Sequence, residues 1–147
     1  MKKAIMLLLA LVLVVGFAGC GKSEAVARAE NLIAQIGEVS LDSLPDIAAA
    51  EEAVAMLTDE EKAELDNIDV LNDAKVKYQE LENSEKANKI DNSIAAIGEV
   101  SLDSESAISA ARSAYDAASA DIKDMVKKYD ILTAAEQKLA KLQEEKR

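Results

Sequence analysis

The sequence has no histidine and no tryptophan, and only one cysteine, one proline, one phenylalanine and three tyrosines in 147 residues. Without histidine, the usual general base and the commonest zinc ligand are both missing. A lone cysteine, Cys20, forms no internal disulfide. The only proline is Pro45, and after Gly21 the only glycines are Gly37 and Gly98. So few breakers, in a chain rich in Ala, Glu, Lys and Leu, predict an all-α fold. Acid is plentiful: 28 Asp and Glu against 17 Lys and Arg give a net charge of -11. Such a surface repels nucleic acid and anionic headgroups, so neither is an expected partner. Paired carboxylates can hydrolyse glycosides across a cleft of about 5 to 10 Å. Here, however, the acids fall mostly on outward helix positions, and we expect no enzyme.

The N-terminus is the one long apolar run. Lys2 and Lys3 precede an unbroken stretch from Ala4 to Val15, followed by Gly16-Phe17-Ala18-Gly19-Cys20. This is the order of a secretory signal: basic start, apolar centre, small-residue cleavage site. An uncleaved membrane anchor is the alternative, but it needs about 20 apolar residues, and this run is shorter and interrupted. Cleavage is the better reading.

Ala18-Gly19-Cys20 resembles the lipobox of bacterial lipoproteins, with Phe17 standing where an aliphatic residue is usual. The resemblance implies a diacylglyceryl thioether on Cys20, cleavage before it, and N-acylation of the new amino group; no other cofactor is expected. Cys suits this chemistry because its thiolate is the strongest common side-chain nucleophile. The bland alternative is a cysteine acting as a small hydrophobe in an apolar segment. Two or more acyl chains would hold the protein on the extracytoplasmic face of the cell membrane. Removing residues 1–19 takes away two lysines and no acids, so the formal charge moves from -11 to -13.

Gly37 and Gly98 each lie in the same octapeptide, IGEVSLDS, at 36–43 and 97–104, a period of 61 residues. The ungapped register pairs Ile33 with Ile94, Ile47 with Ile108, Ala50 with Ala111, Leu71 with Leu132 and Ala74 with Ala135. A duplicated unit follows. The expected divisions are a signal at 1–19, an anchor and linker at 20–24, repeat one at 25–83 and repeat two at 84–147.

Each unit reads as three helical segments forming a three-helix bundle. Val26, Ala29, Ile33 and Ile36 mark the first, matched by Ile90, Ile94 and Ile97. Gly37 and Gly98 follow as left-handed C-caps. Asp42-Ser43 and Asp103-Ser104 are the expected N-caps of the second segment, with Pro45 tolerated in its first turn. Thr58 and Glu61 form a capping box for the third. That segment carries Leu65, Ile68, Leu71, Ala74, Tyr78 and Leu81, or Val126, Tyr129, Leu132, Ala135, Leu139 and Leu142, with a kink expected at Asn67 and Lys128. The junction favours a continuous helix from Leu81 to Ile90, the alternative being a joint at Glu82-Asn83-Ser84.

Unit two resembles helical modules of Gram-positive extracellular proteins through Ile97-Gly98, Leu102-Asp103-Ser104, the Ala110 to Tyr115 helix and Tyr129-Asp130-Ile131-Leu132. Unit one departs from that pattern with Val54 and Ile68 where it has Tyr. The resemblance implies a surface-associated spacer or binding module and no active site.

Candidate sites are correspondingly few. Asp66, Asn67, Asp69, Asn72 and Asp73 offer clustered oxygens, but the central glycine of a calcium loop is missing, so no metal site is expected. In the octapeptides, Glu38, Ser40, Glu99 and Ser101 have no evident packing role. Two identical exposed loops suit a bivalent contact; duplication and turn geometry are the plainer explanation. Residues 24–88 hold 17 acids and 5 bases, residues 89–147 hold 11 and 9. This asymmetry suits a basic partner, although solubility alone accounts for it. Lys138, Lys141, Lys146 and Arg147 suit a helix C-terminus. With only Gly21 to Glu24 between Cys20 and helix, at most about 14 Å, the protein stays near its membrane. The expected function is a non-catalytic, lipid-anchored helical interaction module that binds an envelope protein or wall polymer. The rivals are a passive envelope spacer and a weak divalent-cation-binding lipoprotein.

Overall fold

Ser23 starts the first helix by accepting the Val26 N–H at 3.2 Å, with Glu24 placed favourably in the first turn. From there the computed structural model describes residues 21–147; the expected signal at 1–19 and Cys20 lie outside the described residues. The described chain is all-α, with seven α-helices, one 3-10 turn and no strand. In order these are α1 (Glu24–Gln35), α2 (Leu44–Ala55), α3 (Asp59–Ala63), α4 (Ile68–Ala95), the 3-10 turn Leu102–Ser104, α5 (Glu105–Asp116), α6 (Ala120–Met125) and α7 (Tyr129–Glu145). No described helix is long and apolar enough to cross a membrane.

Gly37 and Gly98 take φ of +59° and +60°, the left-handed conformation expected after a helix. A Cβ at Gly98 would meet no atom within 4 Å and at Gly37 only the Gln35 carbonyl at 3.9 Å, so the demand for glycine is conformational. Thr58 and Glu61 form the expected reciprocal capping box, and Pro45 occupies the first turn of α2.

Two local expectations differ from the structure. Ser43 and Ser104 stand at the N-cap positions of α2 and α5, but neither side chain caps its helix. Each hydroxyl turns back instead, accepting the backbone N–H of Ser40 at 2.9 Å and of Ser101 at 3.0 Å. The third segment also breaks outright where a kink is expected: α3 gives way to α4 across 64–67, and α6 to α7 across 126–128. Asn67 and Lys128 sit at the break with φ near -120° and -107°.

α4 runs uninterrupted through Glu82-Asn83-Ser84 for 28 residues, about 42 Å at 1.5 Å per residue. The expected boundary at 83/84 therefore falls inside a helix. Lys86–Glu82 and Lys89–Glu85 pairs, at 3.2 and 3.5 Å, support its exposed face. Its N-terminal half gives Leu71 and Ala74 to a core with Ile33, Ile36, Ile47 and Ala50. Its C-terminal half gives Ala87, Ile90 and Ile94 to a core with Ile97, Ile108, Ala111, Leu132, Ala135 and Leu139. Val26, Ala29, Leu57 and Leu65 form a third cluster beside the first. Tyr129, expected in the helix stripe, is instead 38% exposed.

Candidate interaction surface

The two octapeptides are structured turns on separate cores. Val39 packs against the core containing Ile36, and Val100 against the one containing Ile97. Ser40 accepts the Asp42 N–H at 3.2 Å, and Ser101 accepts the Asp103 N–H at 3.3 Å. With the Ser40 and Ser101 N–H groups donating to Ser43 and Ser104, both serines are occupied in turn formation, the plainer of the two explanations their pattern offers. Glu38 and Glu99 are exposed on these turns. Glu38 and Ser40 share one turn, and Glu99 and Ser101 the other.

The second octapeptide forms something more specific with α7. Ile94, Ile97, Gly98, Val100 and Ile131 line an apolar groove of about 340 Å³, and its only charged lining residues are Lys128 and Lys138. Ile131 is 53% exposed. A 61-residue shift keeps a lysine for Lys138, as Lys77, but puts Asn67 in place of Lys128 and Asp73 in place of Ala134, so the equivalent positions of the first half carry no net positive charge. The groove has no signal in the sequence because its two walls, residues 94–100 and 128–138, are distant along the chain.

A second unforeseen feature is a pair of acidic latches. Asp91 is buried and accepts the N–H of Lys127 at 3.0 and 3.1 Å and of Lys128 at 2.8 Å. Glu30, 61 residues earlier, accepts the Asp66 N–H at 2.9 Å and pairs with Lys22, while Asn67 Nδ2 donates to the Glu30 carbonyl at 2.9 Å. Each acid thus satisfies backbone donors at the break before the last long helix of its half. The available signal was an acid at both position 30 and position 91, each next to a buried residue of the first stripe. Oδ1 of Asn67 is buried without a hydrogen-bond partner among the described residues.

Arg112 organises the remaining polar cluster. Its guanidinium holds Glu136 through two bonds of 2.6 Å and lies over the rings of Tyr115 and Tyr129, which stack at 4.4 Å. Lys123 covers Tyr115 at 5.6 Å. Among the described residues no group of three or more His, Cys, Asp or Glu gathers as metal ligands, and Asp66 from the acidic run pairs with Lys22.

Three glutamates titrate below the ordinary glutamate value. The Asp66 N–H and then Lys22 lower Glu30, the Thr58 N–H and then the Ser23 hydroxyl lower Glu61, and Arg112 lowers Glu136. A depressed folded-state value means a contribution present above the unfolded value and lost as pH falls through the folded one. Acidification also relieves the self-repulsion of a chain at -11, with the opposite sign. The difference between wild type and E30Q/E61Q/E136Q isolates the three. Melting temperatures recorded from pH 7 downward should show a wild-type advantage that is constant above about pH 5 and shrinks below about pH 4.3. An advantage that grows on acidification would refute the assignment.

No family model, curated protein or solved structure matches the chain.

Proposed function

We propose that the protein is a lipid-anchored, non-catalytic helical interaction module on the extracytoplasmic face of a bacterial cell membrane, built as two tandem three-helix repeats of about 61 residues. In this reading Cys20 carries the lipid, α4 serves both repeats as a shared spine, and the second repeat presents the binding surface. The tandem arrangement draws support from positions buried in both halves: Val26 and Ala87, Ala29 and Ile90, Ile33 and Ile94, Ile47 and Ile108, Leu71 and Leu132.

The observation that carries the interaction role is the groove beside the second octapeptide. On a protein with excess negative charge, an apolar channel whose only ionic groups are two lysines suits an apolar segment with acidic flanks. That chemistry favours a protein over a wall polymer. Residues 21–147 immobilised on beads should capture a specific protein from envelope extracts, and Ile131→Glu or K128E/K138E should abolish capture. Repeated failure to capture, or capture indifferent to both variants, counts against the reading. The anchor has its own test: Cys20→Ala should abolish acyl-chain labelling and release the protein from membranes, and persistent labelling would refute it.

The passive-spacer reading gains from the engagement of Ser40 and Ser101 within their own turns. It predicts that the groove variants alter no envelope phenotype.

A further inference from the structure

The two halves bury nearly the same residues, so their cores do not decide which helix belongs to which half. Ile47 and Ala50 of α2 correspond to Ile108 and Ala111 of α5, and Leu71 and Ala74 of α4 to Leu132 and Ala135 of α7. On apolar grounds α2 would seat on α7 about as well as on α4. Duplicated chains are prone to such exchange within a molecule or between copies.

The polar contacts beside the cores differ in a systematic way. In the first half Lys75 on α4 pairs with Glu51 on α2. In the second half Glu136 on α7 pairs with Arg112 on α5. Position 51 becomes 112 and position 75 becomes 136 on the 61-residue shift, so the same inter-helix ion pair occurs in both halves with its poles exchanged. Val54 and Ile68 change together in the same register, to the stacked Tyr115 and Tyr129. The pairs Lys62–Asp59 and Lys77–Glu80 lie within single helices and bear on no such choice.

We infer that the exchanged poles are a pairing code, which rejects the equivalent helix of the other half in the same chain or in a second copy. With α2 on α7, Glu51 faces Glu136; with α5 on α4, Arg112 faces Lys75. Both wrong arrangements lose an attraction and gain a repulsion, and discrimination between near-identical partners works through such repulsive elements. The Glu51–Lys75 pair is exposed and individually weak, whereas Arg112–Glu136 is half-buried and bidentate, and the wrong pairing fails at both sites at once.

The test makes the two halves alike. E51K/K75E keeps the composition, the net charge and the ion pair of the first half, but gives both halves the same polarity. R112E/E136R does this from the other side. Residues 21–147 refolded from guanidinium at about 100 μM should be mostly monomeric for wild type, with a small dimer fraction. Either double variant should raise the dimer fraction by light scattering about five- to tenfold. The quadruple variant, with poles again opposed, should return to the wild-type fraction. An unchanged dimer fraction in a folded double variant, or a rise that the quadruple variant retains, would overturn the code.

Discussion

Replacing Asp91 with Ala should lower stability by about 3 kcal/mol, because it leaves the N–H groups of Lys127 and Lys128 without their acceptor. A hydrogen bond to a charged group contributes roughly 1.5 to 3 kcal/mol, and a buried donor left unsatisfied costs about 1 to 3. Both donors precede α7, where the helix offers them no internal partner. For a domain of this size the melting temperature should fall by about 10 °C. Asn at the same position keeps one carbonyl oxygen and should lie between Ala and wild type. Glu30 is the internal control: it accepts one backbone N–H where Asp91 accepts two, and its side chain is 23% exposed, so Glu30→Ala should cost less. Urea melts of the three variants check the order. Equal losses at positions 30 and 91, or a D91A loss under about 1 kcal/mol, would remove the latch from the account of stability.

What was legible in the sequence was local or periodic. Gly37 and Gly98 were readable as left-handed caps because only a turn demands glycine within chains so short of it. The stripe from Val26 to Ile33 was readable because three-and-four spacing has one helical meaning. What escaped was set by side-chain direction and by distance along the chain. Ser43 has the residue type of an N-cap, yet its hydroxyl closes the turn behind it, and residue type alone does not distinguish the two. Glu30 and Asp91 passed for solvated acids because their partners lie 36 residues downstream. The same limit hides the groove: Lys138 suits a helix C-terminus and Lys128 a kink, and neither signals a shared surface in the sequence. The glutamates and serines of the octapeptide are its unexplained residues in the sequence, whereas the groove uses Ile97, Gly98 and Val100 from the same segment.

A proline at Ser84 should cost about 3 kcal/mol or more and uncouple the two ends of the molecule. Ser84 lies well inside α4, where proline removes one backbone hydrogen bond and drives its ring against the carbonyl four residues earlier. The side chain is exposed, so no core contact confuses the result. The consequence is larger than one bond, because α4 supplies Leu71 and Ala74 to one core and Ala87, Ile90 and Ile94 to the other. While the helix is continuous, unfolding of either core frays a wall of its neighbour, and a single thermal transition is expected. Broken at 84, the cores should melt separately, seen as two transitions by circular dichroism and as two classes of amide exchange. Ser84→Ala is the control, neutral or stabilising by a few tenths of a kcal/mol in a helix interior. A single sharp transition for Ser84→Pro, at the temperature of Ser84→Ala, would mean that α4 does not couple the cores. The outcome bears on function as well. A rigid α4 fixes the groove at Ile94 and Ile97 about 42 Å along the spine from its start, whereas a broken one leaves that distance to a hinge. If partner capture by the groove survives Ser84→Pro in the bead assay but fails on intact cells, then the spine's work is to hold the second half at a set distance from the first.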